Sequence, residues 1–535
     1  MEEYALATIW EEIADQFGSH EALVHGSRHY SWQEFDERSA RLAGALTAAG
    51  IKASAKVALY LHNCPEYVEG TFAALKTGAA PVNVNYRYKE DELSYLIANS
   101  DAEALIYGAE FAERVAAIAD QLKDLKLLIE VGEQSHPSVE RAITYNDALS
   151  AHPQTRRQHS PDDLILLYTG GTTGMPKGVM HRTGTLSLLF RASLAGGPIP
   201  ETLRDIIEGV KHRASEAAQV RTILPPPLMH GTGWWSAMMA HTKGGCAITL
   251  PNPHFDPHDV WQTVQNARAT TLVIVGDVFA RPLLKALEEA AESGSPYDIS
   301  SLQEVNSSGA MWSATVKEGL LEYGDMALAD SMGASEGSLA MQITRRGEAS
   351  QTAKFQIQDT TKVFTDDDQE VEPGSGEIGM LGTSRNIPLG YYKDPEKTAR
   401  TFREIDGVRY SFPGDYATVE ADGTITLLGR GSNCIITGGE KVYPEEVEEA
   451  VKTHAAVTDC LVVGIPDEQF GERIIAVLSF ETGTSATSEA LADHVRNQLA
   501  GYKVPRAFLI TDEVQRAPNG KADYKWAKTI ATNGA

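Results

Sequence analysis

The chain has 535 residues, 42% of them apolar and 22% charged, which is long enough for more than one buried core. Its 47 basic and 73 acidic residues give a net charge of −26, which disfavours a nucleic-acid-binding surface but leaves room for local cationic sites. Cys64, Cys246, Cys434 and Cys460 stand far apart with no CxxC pair, so neither a disulfide framework nor a cysteine zinc site is expected.

The opening MEEYALATIWEEIADQF is acidic and amphipathic, without the positive start and apolar core of a signal peptide. No apolar run reaches the roughly 20 residues of a membrane span, and a cytoplasmic location is expected. SWQEFDERSARLAGALTAAG (31–50) and RPLLKALEEAAESG (281–294) predict helices. KVALYLHN (56–63), EALIYG (103–108), DLILLYTG (163–170) and TTLVIVGD (270–277) predict buried strands. This alternation implies α/β layers with mostly parallel, doubly wound sheets. His254 and His258 in PHFDPHD stand four residues apart, but the prolines oppose a helix that would align them as metal ligands. TDDDQEVEPGSGE (365–377) predicts a solvated acidic turn before another strand.

A boundary is expected near GRGSN (429–433). Beyond it, YPEEVEEAVKTH opens a helix with Pro444 and first-turn acids. DCLVVGIPD, IIAVLSFE, SEALADHVRNQLAG and AFLITDEV follow as further strands and a helix. The expected division is a large multi-subdomain region at 1–431 and a small α+β domain at 432–535, hinged near Ser432.

The most distinctive string is YTGGTTGMPKGV, starting at Tyr168. It fails both the GxxxxGK[ST] and the GxGxxG spacings. What remains is anion chemistry: glycines admit close backbone amides, threonines add hydroxyls, and Lys177 adds charge. The bland alternative is a tight strand-to-helix turn with a surface lysine.

Taken whole, the string resembles the phosphate loop of the adenylate-forming superfamily, which includes acyl-CoA synthetases. Other segments fall in the family's order: PPPLMHGTG (225–233), NSSGA (306–310), SMGASEG (331–337), PGDYATVEADGTITLLGRGSN (413–433), TGGEKVYPEEVE (437–448) and RAPNGKADY (516–524). The resemblance implies an acyl-CoA ligase: ATP and an apolar carboxylic acid give an acyl-adenylate and pyrophosphate, and coenzyme A then displaces AMP. A large region plus a small mobile C-terminal domain is the fold it implies.

By the same resemblance, Lys521 bridges carboxylate and phosphate, and Glu336, with Thr172, holds Mg²⁺. Thr169, Gly170, Gly171, Thr172, Thr173 and Lys177 hold phosphate. Ser308, Gly309, Ala310, Asp330, Met332, Gly333 and Ser335 line the nucleotide site, with Asp415 on the ribose and Arg430 beside it. His230 is assigned to the reacting carboxylate, Trp234 and Trp235 to the acid pocket, and Gly438, Gly439 and Glu440 to the coenzyme A side. Alternatives sharing these motifs are an enzyme that loads a carrier protein, a luciferase-like oxygenase, and a non-catalytic nucleotide-binding module. Three departures stand out. Met332 replaces the usual adenine-stacking aromatic, Ser432 replaces an Asp or Lys at the hinge, and Ile436 replaces a polar residue. They suggest an adenylation step weaker than thioester formation.

Overall fold

The computed structural model describes residues 2–132, 137–169, 175–192, 199–216, 219–437, 440–467, 471–517 and 520–534. Local chemistry sets the first elements. Ser31 and Glu34 close a reciprocal capping box at the start of the helix Trp32–Ala48, with Ser31 N–H donating to Glu34 Oε2 at 2.7 Å. That helix buries Trp32, Phe35, Leu42 and Leu46 in a core shared with the helices Leu6–Phe17 and Pro65–Thr77. Short β-branched and apolar runs become buried strands of an eight-stranded sheet. Its order is Gly390–Tyr391, Lys177–Arg182, Leu164–Thr169, Ala80–Asn83, Lys56–Tyr60, Ala102–Gly108, Leu127–Val131, Ile143–Thr144.

A second, 15-stranded sheet qualifies the expectation of mostly parallel strands. Glu21–His25, Cys246–Thr249, Arg221–Ile223, Thr271–Ile274, Glu304–Ser308 and Ala327–Ala334 run parallel, each linked through helices. From Gly337–Thr344 onward the pairing is antiparallel, because short turns join successive strands there. The hairpin Asp415–Val419 and Thr424–Arg430 belongs to this half.

A third sheet of five strands lies beyond Arg430. A 3₁₀ turn, Gly431–Asn433, leads into it. Its long pair, Val457–Asp467 and Gly471–Phe480, alternates strictly across two faces. Cys460 and Val462 pack with Val447 and Val451 of Pro444–Lys452 and with Leu491 and Val495 of Ser488–Arg496. Leu461 and Val463 pack on the other face with Ala527 and Ala531 of Tyr524–Gly534. Among the described residues, no helix is long and apolar enough to cross a membrane.

Candidate active site

The strand Leu164–Thr169 turns back antiparallel into Lys177–Arg182, and Thr169 pairs with Lys177. The segment is therefore a hairpin connection rather than a strand-to-helix turn. Gly170, Gly171, Thr172 and Thr173 lie outside the described residues. Lys177 forms an ion pair with Asp394, the residue that caps the helix Pro395–Thr401.

A cavity of about 660 Å³ lies where the large sheet meets the C-terminal sheet. One wall is nucleotide-site sequence: Gly309, Ala310, Asp330, Met332 and Gly333, with Phe355 and Leu427 adding apolar surface. Gly309 adopts φ +93°, a left-handed turn that suits glycine as the chain leaves the strand Glu304–Ser308. Asp330 is buried and receives a 2.8 Å hydrogen bond from Lys317 Nζ, so its charge is already matched inside the wall. Met332 is 8% exposed and packs with Phe355, Leu381 and Ala417. It is as much a core residue as a cavity residue.

Asp415 and Arg430 face each other across their hairpin, with Arg430 Nε donating to Asp415 Oδ1 at 3.3 Å. Burial pushes the Asp415 carboxyl up, and Arg430 opposes that shift. Lys521 approaches from the C-terminal side and lines the same cavity. It keeps open area there, yet the protein around it and the Arg430 charge hold its ammonium below the usual lysine range, against the pull of Glu336 and Asp415. Glu336 accepts a hydrogen bond from the Tyr391 hydroxyl. The preceding Ser335 is held through its backbone by His181, a buried histidine whose pKa burial lowers to about 4.

His230 caps the helix Gly231–Thr242 with extended backbone. Its pKa falls to about 3 through burial, with the Lys521 and Arg87 charges adding to the effect. Its Nε2 is buried with no protein partner. A neutral imidazole thus sits within the electrostatic reach of Lys521.

The tryptophans divide. Trp234 is 1% exposed and donates its indole N–H to Thr71 Oγ1 at 3.0 Å, which makes it a core residue rather than a pocket wall. Trp235 is only partly buried, stacks on Trp234 at 5.6 Å between centroids, and meets His181 edge-on. Gly438 and Gly439 lie outside the described residues, as do the side chains of Ser432, Ile436 and Glu440, although the Glu440 backbone pairs with Thr437.

Several cavity residues escaped sequence reasoning. Arg516 forms a two-point ion pair with Asp459 at 2.6 and 2.7 Å and donates to the Gly520 carbonyl, bracing the turn that carries Lys521. Glu445 packs against Gly429, where any side chain would collide with its carboxylate. Glu448 is 5% exposed and receives the Val462 N–H at 2.9 Å. Burial, then the Glu445 charge, pushes its carboxyl up to about 8. Pro444 and its acids signalled a helix start, but a helix signal does not say which face meets a cleft.

The family model described as AMP-binding enzyme matches residues 10–392, and the one described as AMP-binding enzyme C-terminal domain matches residues 446–521. The chain belongs to the AMP-binding enzyme family. It is 42% identical over 537 residues to a 3-oxocholest-4-en-26-oate–CoA ligase of Rhodococcus rhodochrous, covering 98% of this chain and 95% of that protein. It is 38% identical over 557 residues to the medium-chain acyl-CoA ligase Mig of Mycobacterium avium, covering 99% of each. The crystal structure of the anthranilate CoA ligase AuaEII with anthranoyl-AMP superposes with a TM-score of 0.85 at 23% identity, over 99% of this chain and 98% of that one. At that identity, the likeness bears on fold.

Proposed function

We propose that the protein is an acyl-CoA ligase that activates an apolar carboxylic acid as its acyl-adenylate and transfers the acyl group to coenzyme A. The observation that carries this reading is the convergence of Lys521 with Asp415, Arg430, Glu336 and His230 around one cavity from distant segments. Anionic substrates meeting at a phosphorus need preorganised positive charge, and Lys521 with Arg430 supplies it. Asp415 accepts from the ribose hydroxyls. Arg430 orients Asp415, and neutral His230 lies beside the acid without adding charge. Ser308, Gly309, Ala310, Asp330, Met332, Gly333 and Ser335 complete the nucleotide side, with Thr169 to Thr173 and Lys177 on phosphate.

The Glu336 carboxylate, aimed by the Tyr391 hydroxyl, is the oxygen donor that Mg²⁺ takes alongside substrate phosphates. Glu336 and Thr172 would hold that ion, which when bound offsets triphosphate charge. The chain divides at residues 431 and 432 into the two expected parts, a reading supported by apolar clusters beyond Ile435 that draw on C-terminal residues alone. Rotation about Ser432 would withdraw Lys521 and bring Gly438, Gly439 and Glu440 towards coenzyme A.

The names of the relatives favour a large lipophilic acid. Trp235 is the aromatic retained for its pocket. Mass detection of acyl-AMP and acyl-CoA, with 3-oxocholest-4-en-26-oate, octanoate and palmitate, tests the reading. Both products from at least one acid are expected; pyrophosphate and thioester from none would contradict it. The ratio of the two rates also reads the weakened adenylation suggested by Met332, Ser432 and Ile436.

A further inference from the structure

A lysine outside every assigned position sits beside the phosphate loop. Lys397 lies in the helix Pro395–Thr401, and its Nζ is 4.1 Å from the centre of the Tyr391 ring. The hydroxyl of that same ring is committed to Glu336. Tyr391 pairs with Val179 in the strand that opens at Lys177, so the ring, the lysine and the loop's return strand form one unit. The nearby acids are already engaged. Asp394 takes the Lys177 ammonium and also accepts the Lys397 backbone N–H at 2.9 Å. Glu336 takes the Tyr391 hydroxyl. Among the described residues no carboxylate closes an ion pair with Lys397, although Glu336, Lys177, Asp394 and Arg400 all act on its charge. A half-buried ammonium held over an aromatic face, beside a second lysine and a glycine-threonine loop, is prepared for an incoming anion.

We propose that Lys397 is a leaving-group residue that binds the pyrophosphate produced in the first half-reaction. The inference rests on the adenylating function proposed above and adds to it a residue and a ligand. In that step a carboxylate oxygen of the acid forms a bond to the α-phosphorus. The bond between the α-phosphorus and the bridging oxygen to the β-phosphorus breaks, and its electron pair leaves on pyrophosphate. Lys397 opposes the charge that collects there. The second half-reaction, in which the thiol of coenzyme A displaces AMP, has no pyrophosphate and makes no use of it.

The test is calorimetric titration of the full-length protein with inorganic pyrophosphate, comparing wild type with Lys397→Met and Lys397→Arg. Methionine keeps the length and helix preference of the side chain while removing its charge. Binding is expected to weaken roughly 10- to 100-fold in Lys397→Met, the size of one charge-assisted contact, and to return to within about threefold in Lys397→Arg. Thioester formation from a supplied octanoyl-adenylate should be equal in all three proteins. Wild type without measurable pyrophosphate binding, Lys397→Met within twofold of wild type, or equal loss in both variants would overturn the proposal. Thioester formation by wild type reads the underlying function separately, so the two failures are distinguishable.

Discussion

Arg430 Nε stands 3.3 Å from Asp415 Oδ1 on the facing strand, and the pair lines the cavity that Lys521 enters from the C-terminal side. The contact does two jobs. It partly offsets the cost of burying a carboxylate, and it fixes the direction in which the remaining carboxylate oxygen points.

Asp415→Asn should therefore keep the shape of the wall but turn an acceptor into a partial donor. A hydrogen bond to a charged group contributes about 1.5–3 kcal/mol, so kcat/KM for ATP should fall roughly 10- to 100-fold. Isothermal titration with ATP and steady-state kinetics would check this. An unchanged ATP dependence would remove Asp415 from the nucleotide site.

The two tryptophans should separate stability from specificity. Thr71→Val preserves volume but leaves the buried Trp234 N–H unpaired, at a cost of about 1–3 kcal/mol. The apparent melting temperature should drop while KM for the acid stays put. Trp235→Ala should do the reverse and shift the ranking of acids by chain length or ring content. An effect of Thr71→Val on acid preference would contradict the division.

Glu448 gives a pH dependence of stability. Its folded pKa of about 8 exceeds its ordinary value of 4.5, so the native state keeps a proton that the unfolded chain releases. The stabilisation is fully present below pH 4.5 and is lost as pH rises towards 8, by roughly 1 kcal/mol per pH unit. Glu448→Gln, which cannot ionise, should gain stability relative to wild type between pH 5 and pH 8. Melting curves that differ by a constant amount across that range would contradict the assignment.

The chemistry was readable in the sequence wherever it travels in contiguous strings. The hairpin that carries Asp415 and Arg430, the turn before Lys521 and the segment holding Glu336 are each local. The parallel half of the large sheet was readable too, because buried strands alternating with amphipathic helices leave a clear pattern. The antiparallel half was not, since its short strands near Lys354–Ile357 and Thr361–Phe364 carry no comparable period. Relations between segments were also hidden. Tyr391 reaches Glu336, His181 reaches Ser335, and Arg516 reaches Asp459, and each pair is separated by dozens of residues. Trp234 and Trp235 look alike as neighbours, yet a helix turns one into the core and leaves the other partly open.

The central claim is that Lys521 serves the first half-reaction and leaves the second alone. The direct measurement is Lys521→Ala, with acyl-AMP formation from ATP and acid assayed separately from thioester formation with supplied acyl-AMP and coenzyme A. Loss of one preorganised donor costs about 2.7–4 kcal/mol, so adenylate formation should fall roughly 100- to 1000-fold. Thioester formation should stay within about threefold of wild type, since that step places no demand on the donor. Equal loss in both half-reactions, or loss in neither, would contradict the account.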